Sequence, residues 1–319
     1  GPTGEEFSSA ANLSGSNGTI SAAIFGDIDA GTSTALTPLA NLPAGTLVSF
    51  VYEGVGYRYN PSLQRYYDDT LTPMLFGDPN YDATGTPPGF RIDGLYSTDN
   101  TQFSAAQSTD EVNVYTGQPT DLSADIDEFE VRDYVFDGQG GRVVLTYSGF
   151  AEIHGTGVVS TDGGTYNTSL YLAYGNITPA DRAPTTGTAS YTAARIGGSG
   201  EVWGDNGPEY YDLTGSSTLT ANFASGEVDA SLALEGVNID TSAQIDFGTF
   251  AFEGATQITS AGQISGLGFL AQSIDDATGE LRGLFFGPNA EEFGASFEIE
   301  ATRDSRYFEL YGSLVGTKD

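Results

Sequence analysis

The chain has 319 residues, 43 of them acidic against 11 basic, so its formal net charge is −32. A surface this negative repels phosphate backbones and anionic lipid headgroups, which argues against a nucleic-acid or bilayer-binding role and favours basic or metal-bearing partners. Cysteine is absent, and with it go disulfides, thiolate catalysis, Cys-ligated zinc and iron–sulfur clusters.

The length suits two domains. Gly1-Pro2 reads as a processing scar, which places the native start upstream. Residues 1–18 are small, polar and poor in bulky apolar groups, so burial cannot offset their chain entropy and a flexible tether is expected. Beyond them helical periodicity is weak and period-two alternation frequent, the pattern of half-buried antiparallel strands. In the first half 46–59, 112–116, 129–136, 141–154 and 165–174 read as strands, with turns such as Asp137-Gly138-Gln139-Gly140-Gly141 between them. An irregular stretch over 61–90 carries Pro61, Pro73, Pro79, Pro87 and Pro88. A loop this long inside an ordered domain points to function more than to connection. Two further prolines at 175–187 break the pattern again and divide a β-rich unit, 19–182, from a second unit, 183–319. In the latter, Val228, Ala230, Leu232 and Leu234 share one face and Asp229, Ser231, Ala233 and Glu235 the other, and 213–223 and 295–301 alternate likewise. Short, evenly spaced amphipathic strands predict a closed barrel. No apolar run approaches the ~20 residues a membrane helix needs.

The most distinctive segment runs from Gly283 to Phe297. It reads as an aromatic strand, a Gly287-Pro288-Asn289 turn, one acidic helical turn over 290–293, an exit at Gly294 and a second strand. Gly287 lets the first strand leave the sheet, and Pro288 removes a donor that would otherwise pair. Ala290 and Glu292 fall in the helical turn, whose carboxylates sit near its positive end. Phe285, Phe286, Phe293 and Phe297 are expected to plug one end of the barrel. Two further phrases precede it in order, Tyr171-Leu172-Ala173-Tyr174-Gly175 and Ala183-Pro184-Thr185-Thr186-Gly187-Thr188-Ala189-Ser190-Tyr191. Together the three segments resemble the barrel signature of bacterial surface lipoproteins of the transferrin-binding protein B type. The likeness covers about 170–319. It departs at Ala295, where a second glycine is common, and at Ala193-Ala194, where a glycine often follows the strand.

The resemblance implies an all-β fold in which an N-terminal β-rich handle with long loops precedes a small eight-stranded antiparallel β-barrel. It implies a binder and not an enzyme, at the bacterial cell surface, either secreted or held in the outer membrane by a lipid anchor ahead of residue 1. Such a protein would capture a nutrient ligand or its carrier protein and pass it to a TonB-dependent outer-membrane receptor. A haem-binding (hemophilin-like) member of the same fold is the alternative, and a structural or adhesive surface protein, suited to Gly/Thr/Ser-rich strands, is a third.

Chemistry in the residues themselves is sparse. His154 is the only histidine, so it is the one imidazole base a hydrolase could use and the one imidazole that could serve as axial ligand should haem be bound; otherwise no cofactor is expected. Asp27-Ile28-Asp29 and Asp125-Ile126-Asp127-Glu128 pair carboxylates as a glycosidase or calcium site would, yet neither has calcium-loop spacing and no metal site is assigned. The partner surface is placed on Tyr57, Arg58, Tyr59, Arg65, Tyr66 and Tyr67, with Met74 and Phe76 as an adjoining apolar anchor, because Tyr and Arg dominate interface hot spots.

Overall fold

The computed structural model describes residues 19–24, 46–52, 59–60, 65–66, 74–76, 89–93, 100–119, 128–158, 165–204, 207–261 and 264–319. The tether expected over 1–18 lies outside them. The described chain is all-β, as the alternation predicts, and forms two closed sheets.

The first sheet is built from β1 (Thr19–Ile24), β2 (Thr46–Tyr52), β5 (Met74–Phe76), β6 (Gly89–Asp93), β7 (Asn100–Ala105), β8 (Val112–Pro119), β9 (Glu128–Tyr134), β10 (Ser148–Val158) and β11 (Thr165–Asn176). β3 (Tyr59–Asn60) and β4 (Arg65–Tyr66) form a separate hairpin. The nine strands run in the order β1-β11-β10-β9-β8-β7-β6-β5-β2, and pairing of β1 with β2 closes the ring. The β1–β11 contact is parallel; the others are antiparallel. The strand expected over 141–154 begins only at Ser148. Gly138, Gly140 and Gly141 take positive φ, an Arg142–Asp137 ion pair of 2.9 Å ties the turn, and the N–H groups of Thr146 and Tyr147 are bonded outside the ladder.

The second sheet is an eight-stranded antiparallel barrel in simple up-and-down order: β12 (Thr188–Gly204), β13 (Gly207–Asn222), β14 (Glu227–Asn238), β15 (Gln244–Ala261), β16 (Ile264–Ser273), β17 (Thr278–Phe286), β18 (Glu292–Arg303) and β19 (Arg306–Lys318). β19 pairs back onto β12. The predicted alternation holds on β14, where Val228, Ala230, Leu232 and Leu234 are buried inside and Asp229 and Glu235 face water. Polar outside and apolar inside is the reverse of a membrane barrel.

Eight strands enclose only room for side chains, and here phenylalanines fill it. Phe269 lies opposite Gly283, Phe293 opposite Gly316 and Phe297 opposite Gly312. Each ring takes the space a Cβ on the facing glycine would need. Phe285 completes the layer, 5.3 Å from Phe269 and 5.6 Å from Tyr191 between ring centres. The space inside this barrel is thus occupied by side chains.

Candidate functional site

Alternation fails where the two barrels touch. Residues 292–297 of β18 and 310–316 of β19 are buried on both faces. The inward residues Phe293, Ala295, Phe297 and Leu314 belong to the barrel core, whereas the outward Glu292, Gly294, Ser313 and Val315 lie against the first barrel. Several outward positions at the contact are small: Gly197 of β12, Gly266 of β16, Gly294 and Ser296 of β18 and Ser313 of β19. Their size lets the first barrel come close. A Cβ on Gly197 would stand 2.9 Å from both the Phe150 ring and the Glu152 carboxylate, and one on Gly294 would stand 2.9 Å from Ala173 Cβ and 2.7 Å from the Phe286 ring. Val315 packs with Phe150, Tyr171 and Ala173, while Ser313 Oγ donates to the Tyr171 carbonyl at 2.9 Å.

The signature hairpin is the centre of this joint. The helical turn expected over 290–293 does not form: residues 287–290 make a tight turn and β18 resumes at Glu292. Gly287 and Ala290 both sit in the left-handed region, at φ 85° and 57°. Helix needs negative φ at successive residues, so Ala290 stops it. Its strained conformation is held by the Tyr191 hydroxyl, which donates to the Ala290 carbonyl at 2.7 Å. With no helix to cap, the Glu292 side chain crosses to the first barrel. It accepts from Thr146 N–H at 2.6 Å, Tyr147 N–H at 3.0 Å and the Ser148 hydroxyl at 2.6 Å. Burial raises its pKa above the ordinary carboxylate value, and these donors offset only part of that rise.

Of the four phenylalanines expected to plug the barrel, three do so and Phe286 does not. Strand alternation turns Phe286 outward, where it packs with Ile177, Leu284 and Tyr147 between the backbones of Gly175 and Gly294. The polypeptide leaving β11 then inserts between β16 and β17. Thr178 N–H donates to the Phe285 carbonyl at 2.8 Å, Leu267 N–H to the Thr178 carbonyl at 2.9 Å, and Thr178 Oγ1 to the Gly287 carbonyl at 2.6 Å. The proline-containing stretch between the barrels therefore begins as a paired strip.

His154 stands on β10 beside this joint. Its Nδ1 lies 2.9 Å from Ser169 Oγ and its Nε2 3.3 Å from Glu152 Oε2. Glu152 also receives Arg195 Nη2 of β12 at 3.1 Å, and the Arg195 guanidinium lies 3.3 Å from the centre of the Tyr134 ring. Burial opposes ionisation of Glu152, but the His154 hydrogen bond and the Arg195 charge outweigh it and hold its pKa below the ordinary value. Both imidazole nitrogens are engaged, so an iron atom would have to displace Ser169 or Glu152. Serine, histidine and glutamate stand in line here, but the acid is committed to an arginine of the other barrel, and the group serves as a polar tie between them.

The expected partner surface is described only in part. Tyr57, Arg58 and Tyr67 lie outside the described residues, as do Asp27, Asp29, Asp125 and Asp127. Tyr59 pairs with Tyr66 and Asn60 with Arg65 across the β3–β4 hairpin. Met74 and Phe76 pair with Val48 and Thr46 on β2, within the first closed sheet and apart from that hairpin in the ladder.

Residues 183–317 match the family described as the C-lobe and N-lobe beta barrels of Tf-binding protein B. The second barrel is similar to those barrels. The match covers the strands, the Phe285–Phe293–Phe297 core and the Glu292 hairpin. Among solved structures, the chain is similar to two mutants of transferrin-binding protein B, a vaccine antigen of Haemophilus parasuis Hp5. With the double mutant it shares 14% identity and a TM-score of 0.42, over 86% of this chain and 54% of that one. With a single tryptophan-to-alanine mutant the values are 12% and 0.37, over 85% of this chain and 63% of the other. The chain thus spans between half and two thirds of the length of these proteins. No curated protein sequence matches it.

Sequence reasoning missed the joint. The signal was present in the small residues at alternate positions of 292–297, because a solvent-facing strand would carry larger polar groups there.

Proposed function

We propose that the chain is a non-catalytic, surface-exposed bacterial lipoprotein that captures a nutrient carrier protein, with transferrin the first carrier to test. It would pass the cargo to a TonB-dependent receptor of the outer membrane. The observation that carries this reading is the match of residues 183–317 to the barrels of Tf-binding protein B. The joint adds support: Glu292 and Phe286, within the matched stretch, tie the second barrel to the first.

The test is binding of the immobilised chain to iron-loaded transferrin. Saturable binding is expected, weakened in a Tyr66→Ala/Tyr67→Ala variant by about 1–2 kcal/mol or more, roughly 5–30-fold. No binding would reject transferrin as the cargo. Binding undisturbed in the double variant would discard the proposed tyrosine surface.

A further inference from the structure

Away from the joint, the outer face of β17, β18, β19 and β12 carries an arrangement that neither packing nor barrel closure requires. Every second residue of these strands points outward, so the ladder register places them in rows. One row aligns Tyr210, Glu201, Glu309 and Glu300. The next sets Tyr311 opposite Glu298, and Glu298 opposite Glu280. Near the end of β12, Trp203 is paired with Tyr307. Like charges directly opposite on a sheet repel, and here they do so across four strands. Glu309 is satisfied by two phenols, Tyr307 Oη at 2.7 Å and Tyr311 Oη. Glu201 is not satisfied. Its residue is only 7% exposed, and its buried Oε1 has no hydrogen-bond partner. Burial and the neighbouring Glu309 push its pKa up to about 7, and burial with Glu300, Glu280 and Glu309 does the same to Glu298. Beside these acids Trp203, the only tryptophan of the chain, is 45% exposed.

We propose that this outer face of the second barrel is a docking surface for a basic polypeptide segment, whose arginine or lysine side chain sits among Glu201, Glu309 and Glu298 and against Trp203 and Tyr307. Charge complementarity selects the occupant. A guanidinium or ammonium group supplies the donor that Glu201 lacks and offsets the charge of Glu309 and Glu298, and the exposed Trp203 indole suits a cation over its face. A metal ion fits less well, because among the described residues no three carboxylates converge as ligands. A second copy of the chain fits less well too. It offers 11 basic residues in all, and Arg132, Arg142, Arg195, Arg282 and Arg303 already pair with its own carboxylates. The inference goes beyond the carrier-capture reading, since a carrier held at the handle need not touch this face.

The single tryptophan makes the test direct. The whole chain is titrated at 0.15 M salt with a twelve-residue peptide of alternating arginine and serine while Trp203 emission is followed. A glutamate–serine peptide and calcium chloride are titrated in parallel. The arginine peptide is expected to shift the emission saturably. Glu201→Gln/Glu309→Gln should weaken it at least tenfold, whereas Glu235→Gln/Glu253→Gln, on exposed positions of β14 and β15, should change it less than twofold. Removing repelling charges leaves the barrel folded, which an unlowered melting temperature verifies. Equal weakening in both variants would mean general attraction to an acidic protein and would overturn the proposal. So would an emission that responds to calcium but not to the peptide, or to neither.

Discussion

Phe285 and Phe286 are adjacent, fully buried and of one residue type, yet they belong to different structures, and replacing each by alanine should separate them. The Phe286 ring lies between Gly175 and Gly294, neither of which has a side chain to collapse into the space left behind. Its other contacts are Ile177, Leu284 and Tyr147. A Phe→Ala change at such a site costs about 3–5 kcal/mol, toward the upper part where relaxation is prevented. All of that loss falls on the joint. In Phe286→Ala, calorimetry should therefore resolve two unfolding transitions, the second barrel melting close to its original temperature and the first at a lower one. In Phe285→Ala the loss falls on the ring layer with Phe269, Phe223 and Tyr191. The second barrel should then melt roughly 10–20 °C lower. Should Phe286→Ala lower the second barrel as far as Phe285→Ala does, in one transition, Phe286 is a core residue and the joint is misread.

Four further outcomes follow from the same geometry. Glu292→Gln replaces one of the two accepting oxygens by an amide donor, so either Thr146 or Tyr147 N–H loses its acceptor, which should cost about 2–3 kcal/mol and speed hydrogen exchange at that amide. Glu201 is held near 7 against an ordinary 4.5, so between those values the folded chain keeps a proton that the unfolded chain releases. Stability from this group is full below pH 4.5 and lost as pH rises through 7, up to about 3 kcal/mol, and Glu201→Gln should flatten that part of a denaturation-versus-pH curve. Glu152 has the opposite sign: its lowered pKa contributes stability above the ordinary value that is lost on acidification below it. Because Ser169 and Glu152 occupy both nitrogens of His154, haemin added to the chain should give no Soret shift that His154→Ala abolishes; a His154-dependent band would show that the imidazole exchanges its partners for iron.

Period-two alternation made the second barrel legible, because a barrel filled by side chains must place one apolar residue inward at every other position. Val228 to Leu234 could be assigned to their faces from the residues alone. The same rule concealed the joint. Alternation tells inside from outside, but not whether the outside meets water or another sheet, so Phe286 was grouped with Phe285 and Glu292 was given a local, helical role. Ala290 contributed to that error: alanine favours helix in general, and only the packed turn, with Tyr191 holding its carbonyl, puts it at positive φ.

What the residues determined unaided was local and periodic: strands, turns, an acidic surface and a phenylalanine-filled interior, each set by neighbours one or two positions away. Which carboxylates face one another was decided only by closure. Glu201, Glu280, Glu298 and Glu309 are separated by up to 108 positions in the chain, and it is the register of four strands that brings them onto one face.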